Sequence, residues 1–367
     1  MLSGAFLTMA NIIDYLERRR NESLLSLPFT PPDNLILSKL SSFDWSGIIP
    51  ADSEKRVALS EASMIVLESE NARERVKCKD DLLLLELLAS SKRFGGAELA
   101  MYSVIEDGEE EQFGALSILL PDHTLFISYR GTDASLSGWR EDFEMSFSSE
   151  IKSQHDALLY LKSASSAFSY PIRLGGHSKG GNIAIYSAAK APRELQERII
   201  RVYSDDGPGF SDSFLENEGY KNIIDRISTY VPQTSIIGMM LEHKEKYRVI
   251  RSDSIGILQH LLYSWEIDGD DFVYLDDVDN HSKHISRALK SYLEGVSPSE
   301  RAEIVDFAFS VLSSGADRIP ELIKPKAIAS SLHALSSRDR SERVKIAEEL
   351  SRFLISLISS SNSFSST

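Results

Sequence analysis

The chain has 367 residues, of which 42% are hydrophobic, enough for one large α/β domain with helical additions or for two modest domains. Its formal net charge of −15 makes nucleic acid a poor partner, because phosphate binding requires basic clusters and only Arg18–Arg20 stands out. The single cysteine, Cys78, excludes an internal disulfide and a cysteine-based metal site.

The first 95 residues have a helical pattern. Helical spacing starts near Asn11, the prolines before Asp33 indicate a second helix start, and the apolar run Asp81–Leu88 predicts a buried helix. The N-terminal end lacks the basic segment of a signal peptide, and no apolar run approaches the length that spans a bilayer. We therefore expect a soluble, cytoplasmic protein.

Residues 96–290 are predicted to form the main domain. Strand-like runs at 100–105, 113–120 and 124–129 are separated by polar linkers that suit hairpins. A helix near 153–167 follows, and further strands are predicted near 172, 199–203, 227–231, 247–250 and 272–275. This order indicates an α/β fold with one mixed, mostly parallel central sheet and helices on both faces.

The C-terminal region, residues 291–358, is again helical. Apolar residues between Val344 and Ile358 repeat at helical spacing, which favours a packed amphipathic helix, with a helix on a membrane surface as the less favoured alternative. Residues 359–367 are almost all serine or asparagine and are predicted to be disordered.

The most informative motif is the glycine-rich run 175–182, which holds one serine between a strand-like and a helix-like segment. Gly176, Ser178 and Gly180 give the Gly-x-Ser-x-Gly pattern of a nucleophile elbow. Glycines allow a strained turn that lifts the hydroxyl to the end of the sheet, where the N–H of Lys179 points at a developing oxyanion. The alternative is an ordinary strand–turn–helix crossover in which Ser178 only caps the helix.

A serine nucleophile needs a base, which in this fold follows both the serine and the acid along the chain. His260, delivered by a loop after a late strand, is the favoured base, with a core histidine bonded to the backbone as the alternative interpretation. His281 and His284 flank a charged run and are the second choice. His243 is interpreted as exposed, and His177, inside the elbow, as structural.

The orienting acid is predicted to be Asp206, at the end of a strand and before a Gly-Pro-Gly turn. Segment 227–241, where the acid usually lies, contains no Asp or Glu, so the role falls on Asp206 or on Asp253. We favour Asp206, with Asp205 as its outward neighbour; the alternative is that the pair only makes a turn.

Two further features complete the expected site. Arg130-Gly-Thr132 ends a strand, and Thr132 together with the N–H of Lys179 is expected to form the oxyanion hole. Trp139 and Asp142 lie just beyond and are expected to pin this loop. Met239 and Met240 are expected to line an apolar acyl pocket, a buried helix without substrate contact being the alternative.

These motifs resemble those of the class 3 lipases, α/β-hydrolases in which a strand ending Arg-Gly-Thr precedes a Gly-His-Ser-x-Gly-Gly elbow. The chain is more closely similar to an uncharacterised bacterial family of lipase-like proteins, catalogued as a domain of unknown function, over roughly residues 10–310. Its matching motifs lie at 131–143, 176–182, 206–210, 235–239 and 259–260.

The resemblance implies an α/β-hydrolase fold and carboxylic-ester hydrolysis but no defined substrate. For the favoured mechanism we expect a small-molecule or lipid ester as the substrate and no metal or other cofactor. The chain departs from the lipases in two places: it lacks an acid near Ser235, and Lys179 replaces an apolar residue. The rival hypothesis is a non-catalytic binding or scaffold protein that retains the fold.

Overall fold

The computed structural model describes residues 10–52, 55–107, 111–132, 144–145, 150–280 and 282–283. Trp139, Asp142, His281 and His284 lie outside these residues, as do the predicted regions 291–358 and 359–367.

The helices begin where the sequence supplies caps. The Asn11 side chain accepts a hydrogen bond from the N–H of Ile13, and Asp33 accepts one from the N–H of Thr30. In chain order the helices are α1 (Ile12–Arg19), α2 (Pro31–Leu40), α3 (Leu59–Glu68), α4 (Lys79–Ser90), α5 (Lys152–Ala167), α6 (Lys179–Lys190), α7 (Arg193–Arg198), α8 (Asp212–Leu215) and α9 (Glu218–Ile223). None of these described helices combines the length and the apolar character that crossing a bilayer requires.

The main sheet has nine strands in the order β1-β2-β3-β4-β5-β6-β7-β8-β11. Strands β4 to β8 run parallel, and the flanking pairs are antiparallel. The bounds are β1 (Val57–Ala58), β2 (Glu98–Asp107), β3 (Glu111–Leu119), β4 (Leu125–Tyr129), β5 (Ile172–His177), β6 (Ile199–Asp205), β7 (Ile227–Pro232), β8 (Tyr247–Ile250) and β11 (Tyr274–Leu275). The predicted hairpins and parallel strands are therefore confirmed.

Helices cover both faces of the sheet. Each parallel connection steps to the next strand in the same direction, and right-handed crossovers then place their helices on one face. On that face Leu125 and Ile127 share a core with residues of α5, α6 and α9, whereas Phe126 between them packs with the N-terminal helices on the other face. The N-terminal region thus supplies the second helical layer of the same sheet.

The predicted strand at 272–275 is divided. Residues Asp271–Phe272 (β10) pair with Ile267–Asp268 (β9) in a small hairpin, and β11 then joins the edge of the main sheet. Gly269 turns the hairpin with a φ of 61°, a backbone region that glycine adopts without strain. The N–H of Val273 bonds to Glu266 and its carbonyl accepts from Arg251, so the partner changes at this residue.

The architecture is that of an α/β-hydrolase. Its parallel strands all end at one edge of the sheet, where the loops after β4 to β8 meet. Each predicted site residue lies in one of these loops or at the start of the helix that follows.

Candidate active site

The elbow serine has a strained backbone. Ser178 lies between the end of β5 and the start of α6. Its backbone has φ 59° and ψ −131°, a conformation that residues other than glycine rarely adopt. A Cβ on Gly176 would overlap the backbone of Gly180, and one on Gly180 would overlap the carbonyl oxygen of Tyr129. The predicted glycines therefore make room for a close approach of β4, β5 and α6.

The structure brings His260 and Asp206 together. The Nδ1 of His260 lies 2.6 Å from the Oδ2 of Asp206, and the carboxylate side chain is only 1% exposed. Because Nδ1–H donates to a carboxylate, the neutral ring carries its lone pair on Nε2, the nitrogen that can accept a proton. The alternative acid, Asp253, is exposed, and its carboxylate lies 3.5 Å from the Ser254 hydroxyl.

The second carboxylate oxygen of Asp206 is held by the β7–β8 loop, residues 233–246. Ser235 Oγ donates to Oδ1 at 2.5 Å, and the N–H of Gly238 donates to the same oxygen at 3.2 Å. A Cβ on Gly238 would overlap Oδ1, so this close approach requires glycine. The segment in which sequence reasoning found no acid supplies hydrogen-bond donors to the acid of the preceding strand.

His177 holds the His260 loop against the elbow. Its Nε2 lies 2.8 Å from the carbonyl oxygen of His260, and the two ring centroids are 4.3 Å apart. Burial, together with the charges of His260 and Lys39, keeps the pKa of His177 well below its ordinary value, so the ring is neutral and donates from Nε2. The predicted base, His260, therefore lies beside the residue that precedes Ser178.

The predicted oxyanion-hole residues flank the same turn. A Cβ on Gly131, next to Thr132, would overlap the carbonyl oxygen of His177 and lie 3.3 Å from the Cβ of Ser178. Lys179 supplies the first backbone N–H of α6, and its fully buried side chain donates from Nζ to the carbonyl of Gln112 at 2.8 Å. The lysine cation is thus anchored on β3.

The structure also describes the surroundings of Met239, Met240 and His243. Met239 is partly buried and packs against the cluster Val231, Val249 and Val278, while Met240 is partly buried in the same loop. The pocket role of both methionines stays a prediction. The interpretation of His243 as exposed is wrong, because its side chain is only 5% exposed and bonds to Glu245 at 2.8 Å.

Asp205 is also corrected, because it is fully buried rather than outward. Its carboxyl receives the Asn34 amide at 2.8 and 3.0 Å, and its backbone carbonyl accepts the N–H of Ser178 at 2.9 Å. Asn34 and Ser38 share one face of α2, and both lie close to Gly175 on β5. Sequence reasoning missed them, although a polar pair four residues apart in an apolar helix is a signal for a buried polar contact.

Exposed apolar side chains lie close to His260 in the chain. Ile255, Leu258 and Leu261 are 58%, 52% and 56% exposed, and all three lie in the loop that carries His260. Among the described residues, no group of three or more His, Cys, Asp and Glu side chains could hold a metal ion.

The sheet order and the strained serine turn after β5 define a lipase-like α/β-hydrolase architecture. The Mbeg1-like family model matches residues 88–310, more than half of the chain. The protein belongs to the Mbeg1-like family, a lipase-like family of unknown function. No protein of curated function matches the chain significantly.

Solved lipase structures resemble the chain only distantly. Lipase II from Rhizopus niveus is 12% identical with a TM-score of 0.36, covering 67% of this chain and 96% of its own. The Lip2 lipase from Yarrowia lipolytica is 12% identical with a TM-score of 0.33, covering 48% and 72% respectively. The lipase from Rhizopus microsporus var. chinensis is 12% identical with a TM-score of 0.34, covering 71% and 93%. Likenesses this low support no conclusion about activity or substrate.

The buried carboxyl of Asp205 generates a prediction about stability. Burial, partly offset by Asn34 and Ser38, and the nearby charge of Asp206 raise its pKa to about 7. The unfolded chain releases this proton near pH 4, so between pH 4 and 7 the free energy of unfolding falls as pH rises, by at most about 1.4 kcal/mol per pH unit. Asp205→Asn removes this contribution, and we expect the variant to gain stability relative to the wild type from pH 5 to pH 7.

Urea unfolding at pH 5, 6 and 7 measures this difference. Asp276→Asn, at an exposed position, is the control and should follow the wild-type pH dependence. A difference between Asp205→Asn and the wild type that stays constant with pH would contradict the assignment.

Proposed function

We propose that the protein is a serine hydrolase that cleaves carboxylic esters through an acyl-enzyme. Ser178 is the nucleophile, His260 the general base and Asp206 the residue that orients the base. The observation that supports this most is the 2.6 Å hydrogen bond between His260 and Asp206, formed on a loop that His177 docks against the elbow. The elbow serine alone would not support a hydrolase, because a hydroxyl is a weak nucleophile without a base.

In the first half of the reaction, Ser178 Oγ attacks the ester carbonyl carbon and its proton passes to His260 Nε2. Negative charge develops on the former carbonyl oxygen, which the N–H groups of Thr132 and Lys179 stabilise. The C–O bond to the alcohol then breaks, and the alcohol oxygen takes the proton from His260. The imidazolium that exists between these steps is stabilised by the ionised carboxylate of Asp206.

In the second half, water replaces the alcohol. His260 takes a proton from the water, whose oxygen attacks the acyl carbon, and the collapsing intermediate releases the carboxylic acid while Ser178 regains its proton from His260. Asp206 takes no proton in either half; its two oxygens face three donors, from His260, Ser235 and Gly238, which keep the carboxylate in one orientation.

The apolar side chains around His260 support an ester with an apolar acyl chain as the substrate. Ile255, Leu258 and Leu261 project from the loop of the base and are more than half exposed. A lipid or other apolar acyl group would cover such side chains with a gain of about 25 cal/mol per Å² removed from water.

A non-catalytic scaffold explains these features less well. Holding a serine at positive φ costs about 1–3 kcal/mol, and a binding module gains nothing from this strain. Nor does such a module need a histidine whose Nδ1 is occupied by a buried carboxylate.

The proposed roles predict the effects of three substitutions. Ser178→Ala should lower the kcat for p-nitrophenyl butyrate by at least about 10⁴-fold, since the nucleophile is lost. Asp206→Asn should lower kcat by about 10⁴-fold and spare KM, because the ring of His260 loses its orienting acceptor. Asp253→Asn is the matched control and should leave kcat nearly unchanged.

Initial rates of the purified variants, with thermal melts to confirm folding, provide the measurement. Full turnover by folded Ser178→Ala would exclude this mechanism. A large loss in Asp253→Asn with none in Asp206→Asn would reassign the acid.

The apolar side chains predict a dependence on acyl length. Leu258→Ser and Leu261→Ser should each lower kcat/KM for an octanoate ester relative to a butyrate ester by about 10-fold, as expected when a contact worth about 1–3 kcal/mol is removed. Leu159→Ser, at a position on α5 that is 47% exposed, is the control and should leave the ratio unchanged. An unchanged ratio in both loop variants would show that the acyl chain binds elsewhere.

A further inference from the structure

The β7–β8 loop, which contacts Asp206, also contains a second histidine–carboxylate pair. The Nδ1 of His243 is 2.8 Å from Glu245 Oε1, and its Nε2 is 2.7 Å from the carbonyl oxygen of Gly238. Glu245 also accepts the hydroxyl of Thr229 at 2.8 Å and that of Tyr220 at 2.5 Å. Both ionisable side chains are nearly inaccessible, at 5% and 1% exposure.

The partners of His243 determine its charge. A carboxylate and a backbone carbonyl both accept hydrogen bonds, and neither can donate one. A neutral imidazole has one N–H only, so one of the two contacts would join two acceptors. With Glu245 ionised, both contacts are satisfied together only by the imidazolium, which forms a buried ion pair with Glu245.

Gly238 connects this ion pair to the predicted triad. Its carbonyl accepts from His243, and its N–H is shared between Ser235 Oγ at 3.0 Å and Asp206 Oδ1 at 3.2 Å, the carboxylate oxygen that does not face His260. The N–H and the carbonyl of one residue make the two contacts, so the position of Gly238 depends on His243 and on Asp206 together.

Residues 240–242 of the β7–β8 loop are hydrogen-bonded to the segment that follows Asp206. The N–H of Gly209 donates to the carbonyl of Met240 at 2.8 Å, and Phe210 and Glu242 exchange backbone hydrogen bonds. Between these contacts Leu241 adopts a φ of 62°, a strained value for leucine that persists only where the surroundings enforce it. These contacts fix residues 240–242 of the loop, and His243, which follows them, reaches back to the carbonyl of Gly238.

We propose that His243 is a positioning residue: held as an imidazolium between Glu245 and Gly238, it fixes the β7–β8 loop in the conformation that orients Asp206 toward His260. This inference rests on the proposed function for its kinetic consequence, and on the hydrogen-bond geometry alone for the structural coupling.

The charged groups around His243 favour its protonated form. Burial by itself lowers the pKa of this ring, but the hydrogen bond and charge of Glu245, the Gly238 carbonyl and the charge of Glu242 outweigh it and raise the pKa above its usual value. For Glu245, burial is outweighed by His243, Tyr220 and Thr229, which lower its pKa to about 2.

Two tyrosines face the same group from other elements, Tyr220 from α9 and Tyr247 from β8. Burial raises the pKa of both, so neither ionises before His243. The pKa of His243 is higher in the folded protein than in the unfolded chain. Its contribution to the free energy of unfolding is therefore complete below about pH 6 and is lost as pH rises through the pKa of the folded state. At the acid end Glu245 keeps the pair intact down to about pH 2.

The structural coupling is tested by NMR on the full chain, with ¹⁵N-labelled histidine and backbone. At pH 6 we expect protons on both ring nitrogens of His243. As pH rises and His243 titrates, the Gly238 amide and the His260 ring resonances should shift with the same midpoint. A neutral His243 ring at pH 6, or a titration that leaves Gly238 and His260 unmoved, would overturn the proposal.

Kinetics of variants provide the second readout. His243→Gln keeps a donor toward Gly238 but does not titrate, and combining it with Glu245→Gln avoids leaving a buried unpaired carboxylate. In the wild type we expect kcat to fall at alkaline pH as His243 loses its proton. The double variant should keep most of the wild-type kcat and should not show this fall. His243→Leu, which lacks the donor, should lower kcat by about 10- to 100-fold with little change in KM.

His155→Gln, at a side chain that is 58% exposed, is the control and should keep the wild-type pH profile. Assays are run below the melting temperature of each variant, so a loss of stability alone does not change kcat. If the double variant and the wild type share one pH profile, or His243→Leu keeps full kcat, the proposal is wrong. If the wild type hydrolyses no ester while the NMR coupling is present, the proposed function fails and the coupling through Gly238 stands.

Discussion

The carboxylate of Asp206 is a buried charge, and the arrangement of the site depends on how that charge is stabilised. Such a group is tolerated only when donors face its oxygens. One oxygen faces the His260 ring, and the other receives Ser235 and the N–H of Gly238. These donors come from the loops after β7 and β8, so the carboxylate that follows β6 joins three loops at the carboxyl-terminal edge of the sheet. The His260 ring is oriented as a consequence of satisfying this charge.

Topology explains how Asp206, which follows β6, reaches hydrogen-bond donors that follow β7. Neighbouring parallel strands end side by side, so a carboxylate after β6 and donors after β7 meet within hydrogen-bond distance. The same sheet needs a second helical layer, because its sequential right-handed crossovers lie on one face. The N-terminal helices supply that layer, and Asn34 on α2 contacts Asp205, whose carbonyl in turn receives the N–H of Ser178. The region before the matched family segment therefore shares in holding the elbow.

Local patterns predicted a large part of this structure. Alternating and apolar runs identified β2 to β8, and glycine spacing predicted the strained turn at Ser178, because both signals arise from neighbouring residues. The absence of any acid in segment 227–241 directed attention to Asp206. Contacts between distant segments had no such signal. His243 lies between two charged residues, a pattern typical of solvent exposure, yet Glu245, Thr229 and Tyr220 form a polar pocket that only the folded chain assembles. The run 272–275 was divided because partner strands, not propensity, decide where a short strand pairs.

The most direct measurement of the central claim is a crystal structure of the protein after reaction with a fluorophosphonate ester, which mimics the tetrahedral intermediate. We expect phosphorus bonded to Ser178 Oγ, with one phosphonyl oxygen about 2.7–3.1 Å from the N–H of Lys179 and close to that of Thr132. We also expect that His260 Nε2 faces the serine oxygen while Nδ1 keeps its bond to Asp206. A reagent bonded to another residue, or an adduct on Ser178 with His260 bonded to a different carboxylate, would contradict the account.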